Sequence, residues 1–409
     1  MKGFFEKEKA QLPYKSEKGV HSCASCGLYK FTLSPRMKPY GNFKKGIMVI
    51  GEAPGEDEDK KGKPWQGRMG RALQRQYKQL GVDIFEDCVS VNAISCRPVD
   101  KKGANRAPSE FEISCCRQKV LSAIKRYEPH VIIIHGNAAI SSVIGYRWKK
   151  ELGGIVKWRG WTIPDRDFNA WICPTFHPSF VERQEEVNEI HVIWREDLEK
   201  AFAKASERLP EETSENQIII ADAGEVLERI EDEARPLLAF DIETTGLKPY
   251  NTQIHELACV SFCNSDDVAY ASPAPSKRKH WRHLKRVLEN PKIGKIAANM
   301  KFEDHWKTIM YGINTHPWAF DTMLAAHVLD NRPGITSLKF QAYVRFGVLG
   351  YGDEIAPYLK SPDTYSVNKI KDVMRNEKSF ERLLTYCGMD SLLTYKLAHA
   401  QMRELNYKW

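Results

Sequence analysis

Short apolar segments alternate with longer amphipathic segments along the first half of the chain. Apolar runs at 46–50, 88–94, 131–134 and 171–176 predict strands, and the periodic segments 69–80 and 108–127 predict helices. Strands that are apolar almost throughout and alternate with helices are typical of a parallel sheet covered on both faces. The sequence therefore predicts an α/β domain.

Three segments that follow strand ends in this pattern are rich in small or polar residues. They are the loop 51–55 (GEAPG), the stretch 92–96 and the turn that begins at His177. In parallel sheets the ligand crevice lies beyond the carboxyl ends of the strands, so we expect these segments to meet there.

A change of composition separates this pattern from a second one. An amphipathic helix is predicted over 190–206, and residues 207–216 are polar, acidic and proline-containing, as linkers often are. A new strand, helix and strand follow at 217–220, 224–234 and 236–242. We therefore predict a domain over 1–206, a linker over 207–216 with the boundary near 210, and a second domain over 217–409.

The composition places limits on the class of protein. The 409 residues are 42% hydrophobic and 28% charged, which is ordinary for a folded protein and argues against a disordered chain. No apolar run approaches the ~20 residues of a membrane span, and the N-terminus lacks the apolar core of a secretory signal. We expect a soluble, cytoplasmic protein of a bacterial or phage-infected cell, without a membrane partner.

Basic residues are concentrated in the first half of the chain. Residues 1–200 contain 34 Lys and Arg against 25 Asp and Glu, whereas residues 201–409 contain 27 against 28. A basic half suits a polyanion such as nucleic acid. An excess of lysine that only keeps the protein in solution is the alternative.

Several cysteines have the spacing of metal ligands. In a non-exported chain most of the ten cysteines should be reduced. The candidate ligands are Cys23, Cys26, Cys96, and either Cys115 or Cys116. A zinc ribbon would repeat the CxxC pair, whereas here the second pair is spread out, which leaves an iron–sulfur cluster open beside zinc and beside unrelated buried cysteines.

Five blocks in the first half carry a family resemblance: CASCGLYK, IGEAPGEDEDKKGKPWQGRMG, VNAISCRP, NRAPSEFEISCC and PTFHPSF. With these blocks in order, residues 20–200 resemble the iron–sulfur uracil-DNA glycosylases of family 4. The resemblance implies a parallel-sheet α/β/α fold and a 4Fe–4S cluster held by Cys23, Cys26, Cys96 and Cys116. In the family the fourth cysteine ligand follows the element that begins at Asn105 by a fixed number of residues, and this count selects Cys116 rather than Cys115.

The resemblance also implies roles in uracil excision. An enzyme that acts on a base in DNA flips it into a pocket, where charge develops on the departing base. By resemblance, Gly51, Glu52 and Ala53 line the pocket, Asn92 recognises the uracil edge, and His177 supplies the donor. Glu52 or Glu58 would position the water, and Trp65 stands where the family usually has a stacking Phe. Each of these residues alone is more often structural.

Acidic residues in the second half have the pattern of a metal site. Asp241 and Glu243 lie two residues apart on a predicted strand and so share a face. The segment 299–304 adds further acids, and Tyr386 and Asp390 lie one helical turn apart. Carboxylate oxygens suit Mg²⁺ or Mn²⁺, and two such ions can hydrolyse a phosphodiester. Taken singly, these acids could also be an ordinary strand end and a surface pair.

Residues 217–405 resemble the 3′→5′ proofreading exonuclease domain of family A DNA polymerases, which has an RNase H-like fold. The resemblance implies that Asp241, Glu243 and Asp390 bind two Mg²⁺ or Mn²⁺ ions and that Tyr386 orients the attacking water. In the second motif Glu303, not an aspartate, follows Phe302. Glu303 is the expected ligand, and Asp304 is the alternative.

Together the two halves resemble the N-terminal part of certain phage-type DNA polymerases. We expect a DNA-processing protein that removes nucleotides from single-stranded 3′ ends and excises uracil from DNA. No polymerase motif precedes Trp409, so a separate polymerase subunit is an expected partner. The first alternative is a first domain that binds uracil or single-stranded DNA without cleavage, and the second is a pair of inactive scaffolds.

Overall fold

The computed structural model describes residues 22–184, 187–233 and 235–409. The chain divides into two compact units, Met1–Pro210 and Glu211–Trp409. Within the described ranges, no helix is both long enough and apolar enough to cross a membrane.

The first unit is built on a sheet with the strand order β2-β1-β3-β5-β4. Its strands are β1 (Ile47–Gly51), β2 (Cys88–Asn92), β3 (Val131–His135), β4 (Ile163–Asp165) and β5 (Ala170–Thr175). Its helices are α1 (Glu56–Lys61), α2 (Arg68–Gln79), α3 (Glu110–Tyr127), α4 (Asn137–Ile140), α5 (Ile155–Trp158), α6 (Pro178–Glu182) and α7 (Asn188–Ala203). Strands β2, β1, β3 and β5 are parallel, so their carboxyl ends share one edge.

The predicted α/β class is confirmed, and one strand was missed. Strand β4 pairs antiparallel with β5 at the edge of the sheet. It has three residues, the second of which is Pro164. Such a segment has neither the length nor the alternation on which strand prediction depends, and proline is tolerated at a sheet edge because it needs no ladder partner there.

Helix α3 begins where its sequence provides a cap. Ser109 Oγ accepts from the Glu112 N–H at 3.3 Å, and the Glu112 carboxylate accepts from the Ser109 N–H at 2.8 Å. Arg106 binds the same carboxylate through two nitrogens, at 2.6 and 2.9 Å. This reciprocal capping box fixes the start of the helix and hence the position of Cys116, two turns further along.

The second unit is built on a mixed sheet with the order β11-β10-β7-β8-β9-β6. Its strands are β6 (Ile218–Ile220), β7 (Leu237–Thr244), β8 (Leu257–Cys263), β9 (Ala269–Pro273), β10 (Gly294–Ala297) and β11 (Trp318–Asp321). Its helices are α8 (Ala223–Asp232), α9 (Arg278–Leu288), α10 (Met300–Tyr311), α11 (Thr322–Leu329), α12 (Leu338–Phe346), α13 (Ala356–Leu359), α14 (Ile370–Met374) and α15 (Glu377–Glu404).

The long helix α15 lies across the centre of this sheet. It packs against β7, β8 and β9, and sixteen of its residues are buried. Ser261 on β8 donates to the Cys387 carbonyl at 2.7 Å, which fixes the helix over the strands. Antiparallel β7, β8 and β9, flanked by parallel β10 and β6, give the second unit an RNase H-like arrangement.

Candidate active sites

The loop after β1 and the end of β2 meet at the carboxyl edge of the first sheet. Gly51 and Asn92 are register partners at the ends of these strands. A Cβ at Gly51 would lie 2.5 Å from Asn92 Oδ1 and 2.8 Å from Trp65 Cη2. Only glycine therefore fits there, and its absent side chain lets three of the predicted pocket residues touch.

Trp65 is buried beside this point in an unusual backbone conformation. Its φ is +59°, in the left-handed region that non-glycine residues rarely adopt. Its ring lies 6.1 Å from that of His177 and 6.0 Å from that of His135. The indole Nε1 is buried without a hydrogen-bond partner. The indole thus reaches Gly51 and Asn92 and carries an unused donor.

Two histidines flank the pocket, and their hydrogen bonds fix their tautomers. His177 Nδ1 accepts from the Ser179 N–H at 3.2 Å, so a neutral His177 ring carries its proton on Nε2. Burial, with His135 and Arg183 nearby, lowers the pKa of His177 to about 3, which keeps the ring neutral. His135 contacts the Phe176 carbonyl through Nδ1 and Tyr77 Oη through Nε2, at 3.0 and 3.1 Å.

The two predicted water-positioning acids have different surroundings. The Glu58 carboxylate accepts from the N–H groups of Gly55, Gln66 and Gly67 at 2.9 to 3.1 Å. These hydrogen bonds join α1 to the loop that contains Trp65. Glu52 is half-buried, and burial raises its pKa while Arg183 opposes the shift. Glu52 is therefore the better candidate for holding a water molecule.

The predicted cysteine ligands gather on the other side of the same loops. Cys26, Cys96 and Cys116 belong to one apolar cluster that also includes Ala53, Leu28 and Ile94. Cys26 Sγ lies 3.6 Å from the Cys23 carbonyl. Burial, with smaller contributions from nearby Cys26, Cys23 and Cys96, raises the pKa of Cys116 to about 11.

Cys115 lies in a different environment from Cys116. Nearby Cys96 helps to raise the pKa of Cys116, whereas the pKa of Cys115 is raised chiefly by burial and by Cys26. Backbone donors also reach the cluster thiols, since the Arg36 N–H lies 3.2 Å from Cys96 Sγ. Four thiolates close together repel one another unless a cation binds them, so this set suits a metal centre.

Three carboxylates from two elements converge in the second unit. Asp241 and Glu243 extend from the same face of β7, and Asp390 extends from α15, which packs on that face. One oxygen from each lies within 4.8 Å of the other two. Oxygen ligands in this arrangement are those that Mg²⁺ and Mn²⁺ prefer, so the donor set fits the metal that an exonuclease domain implies.

The two acids of the second motif point to different partners. Glu303 is 3% exposed, and its Oε2 is buried without a partner. Burial raises its pKa well above the usual range, and Asp390 is among the nearby acids that add to the shift. Asp304 is half-exposed and pairs with Lys307 at 2.6 Å. Glu303 therefore faces the carboxylates, and Asp304 lies outside them.

A buried aspartate holds the helix that carries Glu303. The Asp321 carboxylate accepts from the N–H groups of Asn299, Met300, Met323 and Leu324 at 2.9 to 3.2 Å. It thus caps α11 and ties the start of α10 to β11. Asn299 adopts a φ of +78°, which asparagine tolerates better than most residues, and this turn aims Glu303 inward.

The carboxylates repel one another in the absence of cations. Burial raises the pKa of Asp241 well above the usual range, and Asp390, Glu243 and Glu303 raise it further. Burial likewise raises the pKa of Glu243, and among nearby groups Lys339 lowers it. Repulsion among these carboxylates therefore destabilises the folded site until a cation binds.

Two residues of this site were not predicted from the sequence. Tyr351 Oη donates to Asp390 Oδ1 at 2.5 Å, and its ring stacks on that of Tyr386 with the centroids 5.8 Å apart. Lys339 Nζ lies 4.6 Å from the Tyr386 ring centroid. Lys339 lies within residues 217–405, which carry the exonuclease resemblance, and could have been considered, whereas Tyr351 carries no signal because only the fold brings it to Asp390.

Fold and site geometry together define a two-domain α/β protein whose second unit gathers three carboxylates that could hold a divalent metal ion. Residues 38–205 match the uracil-DNA glycosylase superfamily. Residues 218–406 match the 3′-5′ exonuclease domain of the DNA polymerase A type.

Relatives of known sequence agree with these matches. The type-4 uracil-DNA glycosylase of Saccharolobus solfataricus is 32% identical over 191 residues, which cover 46% of this chain and 83% of that protein. The chain therefore belongs, through its first unit, to the type-4 uracil-DNA glycosylases, and its second unit is a 3′-5′ exonuclease domain. The predicted family resemblances are thus confirmed.

Similarity to a polymerase extends over both units. A DNA polymerase of Bacillus phage SP01 is 25% identical over 362 residues, or 80% of this chain and 37% of that polymerase. Among solved structures, Brucella melitensis NrnC with bound Mg²⁺ matches 43% of this chain and 77% of its own, with 19% identity and a TM-score of 0.33.

Proposed function

We propose that the second unit is a metal-dependent 3′-5′ exonuclease that shortens single-stranded DNA ends. The convergence of Asp241, Glu243 and Asp390 within 4.8 Å is the observation that carries this proposal. Two Mg²⁺ or Mn²⁺ ions bound there would activate a water molecule and stabilise the leaving oxygen. The three carboxylates and Glu303 would hold the ions, and Tyr386 would orient the attacking water through its hydroxyl.

Paired substitutions in the second motif test this assignment. With a 5′-labelled oligonucleotide and Mg²⁺, we expect Glu303→Gln to slow shortening by about 100-fold, since metal sites depend on each ligand. Asp304→Asn is the matched control, and we expect it to retain activity within about two-fold at a temperature below its Tm. Equal losses in both variants, or full activity of Asp241→Asn, would overturn the proposal.

The first unit, we propose, flips uracil out of DNA and hydrolyses its N-glycosidic bond. A neutral His177 offers its Nε2 proton to the uracil oxygen on which charge develops, and such a fixed donor lowers the barrier. Asn92 binds the uracil edge, Trp65 stacks on the ring, and Glu52 holds the water. Gly51 and Ala53 leave room at the pocket wall.

A second possibility for the first unit is binding of uracil or single-stranded DNA without cleavage. It is favoured by the Trp65 indole, which lies close to Gly51 and Asn92. One experiment separates excision from binding without cleavage. The protein is incubated with a uracil-containing oligonucleotide in EDTA, and the oligonucleotide is then treated with alkali. Scission that is lost in His177→Ala and Asn92→Ala supports excision, whereas uracil-dependent binding without scission supports the binding module.

Cys23, Cys26, Cys96 and Cys116 are proposed as the ligands of a 4Fe–4S cluster. Such a cluster would tie the loop that carries Cys23 and Cys26 to the segment after β2 and to α3. Anaerobically purified protein should show broad visible absorbance and contain iron. Cys116→Ser should lose both, and the neighbouring Cys115→Ser is the matched control that should keep both. A colourless protein that contains zinc would refute the cluster.

The protein, we further propose, works in the cytoplasm as a proofreading and uracil-removing partner of a DNA polymerase. The similarity to a phage DNA polymerase along both units supports this partnership. Pull-down with a polymerase from the same source tests it, and recovery no greater than that of beads alone would count against it.

Residues 207–216 are proposed as the linker, and limited proteolysis should cut there first.

A further inference from the structure

A second pocket of the first unit lies beside the edge strand β2. Its volume is about 390 Å³, within the range of small-molecule sites. Its walls are the loop 36–39, the strand β2 and one face of α3. The lining residues used below are Arg36, Lys38, Ser90, Asn92, Lys119 and Arg126.

The walls of this pocket are fixed by backbone contacts. The Met37 N–H donates to the Ser95 carbonyl at 2.8 Å, and Tyr40 pairs with Ser90 through both backbone groups at 3.0 and 2.8 Å. An isolated antiparallel bridge therefore holds the end of this loop against β2. A ligand would enter a pocket whose shape already exists, which limits the entropy lost on binding.

Positive charge dominates the pocket. Four lining residues, Arg36, Lys38, Lys119 and Arg126, are cationic, and none of the lining residues is acidic. Within the described residues, none of these four cations forms an ion pair with a carboxylate. Cations that surround a cavity without counter-charge raise the local concentration of anions, and an anion bound there relieves their mutual repulsion.

A buried hydroxyl on a residue that lines the pocket gives a second, independent observation. Ser90 lines the pocket and is 0% exposed, and its Oγ has no hydrogen-bond partner. A buried polar group without a partner destabilises the fold, and a hydrogen bond from Ser90 to a ligand oxygen would remove that cost. Arginine, lysine and serine hydroxyls are the side chains that contact phosphates in nucleic-acid complexes.

We propose that this pocket binds the phosphate of a nucleotide, through the four cations and the Ser90 hydroxyl. Asn92 lines this pocket and also contacts the uracil pocket at Gly51, so a strand whose base reaches Asn92 could pass its backbone here. The assignment of this nucleotide to a DNA strand rests on the proposed function of the chain on DNA. A free nucleotide offers the same phosphate, and the experiment separates the two sources.

Paired double variants of the full chain test the proposal in EDTA. Lys38→Gln/Arg126→Gln removes two charges from the pocket, and Arg75→Gln/Lys78→Gln removes two exposed charges from α2 as the matched control. A fluorescent single-stranded oligonucleotide without uracil is the probe, titrated between about 50 and 200 mM salt. The pocket variant should bind about 10-fold more weakly, and its salt slope should fall by about 1.4.

Hydrogen exchange locates the binding site and shows whether the bound phosphate belongs to a DNA strand or to a free nucleotide. Peptides from 36–40 and 118–126 should become protected by the oligonucleotide if a strand is bound, or by dTMP alone if a free nucleotide is bound. Ser90→Ala should weaken binding several-fold while its Tm stays the same or rises. Protection by neither ligand, or equal losses in the two double variants, overturns the proposal. Because the probe lacks uracil, a failure of uracil excision leaves this result standing.

Discussion

Replacing Asp241 by asparagine should stabilise the metal-free second unit while abolishing its nuclease activity. Two unit charges within 4.8 Å of each other repel by at least about 3 kcal/mol at an effective dielectric constant of about 20. Part of this repulsion is avoided because the raised pKa values keep some of the carboxyls protonated. We therefore expect a net gain of about 2 kcal/mol at pH 8 in EDTA, or roughly 4–8 °C in Tm.

The pH dependence of this gain identifies its origin. A carboxyl whose pKa is raised on folding destabilises the folded state as pH rises above its unfolded pKa of about 4, and the effect levels off above the folded pKa. The advantage of Asp241→Asn should therefore be absent near pH 4 and grow as pH rises from there. Adding Mg²⁺ should shrink or reverse it, because the wild-type site then gains binding free energy.

Thermal unfolding of wild type and variant at several pH values, in EDTA and in Mg²⁺, makes the measurement. Asp372→Asn is the control for the loss of one exposed acid, and it should change the free energy of unfolding by no more than about 0.5 kcal/mol. A variant that is less stable than wild type in EDTA at pH 8 would refute the reasoning, as would a gain that is equal at pH 4 and pH 8.

Three further predictions concern single residues of the two sites. Tyr351→Phe removes the hydrogen bond to Asp390 and should raise the Mg²⁺ concentration for half-maximal exonuclease activity by about 10-fold, whereas unchanged metal dependence would remove Tyr351 from the site. Trp65→Phe widens the space at Gly51 and should raise kcat/KM for uracil excision by about 10-fold; a loss of activity would contradict this. Since the pKa of His177 is about 3, excision should show no imidazole titration between pH 5 and 8, which a pH–rate profile checks.

The parts of the fold that sequence predicted well are those with local signals. Nearly continuous apolar runs marked β1, β2, β3 and β5 within about two residues, and strict alternation put Asp241 and Glu243 on one face. These features depend on neighbours one to four positions away. The sequence pattern therefore contains them directly, and tertiary packing did not override them.

The features that sequence missed are set by long-range contacts. Tyr351 lies 39 residues from Asp390, and only the packing of the segment after α12 against α15 brings their oxygens together. Glu58 matched the family pattern, and the motif does not reveal that its carboxylate also accepts hydrogen bonds from the Trp65 loop. A motif predicts the type of residue at a position, but the hydrogen bonds that decide its role come from segments far away in sequence.

The same distinction explains why the basic pocket escaped sequence reasoning. Arg36 and Lys38 belong to one loop and Lys119 and Arg126 to one helix, and neither pair is unusual by itself in a basic half of the chain. The pocket arises because both segments pack on β2, where Ser90 keeps an unpartnered hydroxyl.

Clustered charge of opposite sign marks the candidate sites of the two units. Three carboxylates gather in the second unit, and four cations line the pocket in the first. Folding alone would favour neutral residues at such positions. Each unit should therefore gain stability from its own ligand, a divalent cation in one and a phosphate in the other, and each gain is measurable without any assay of catalysis.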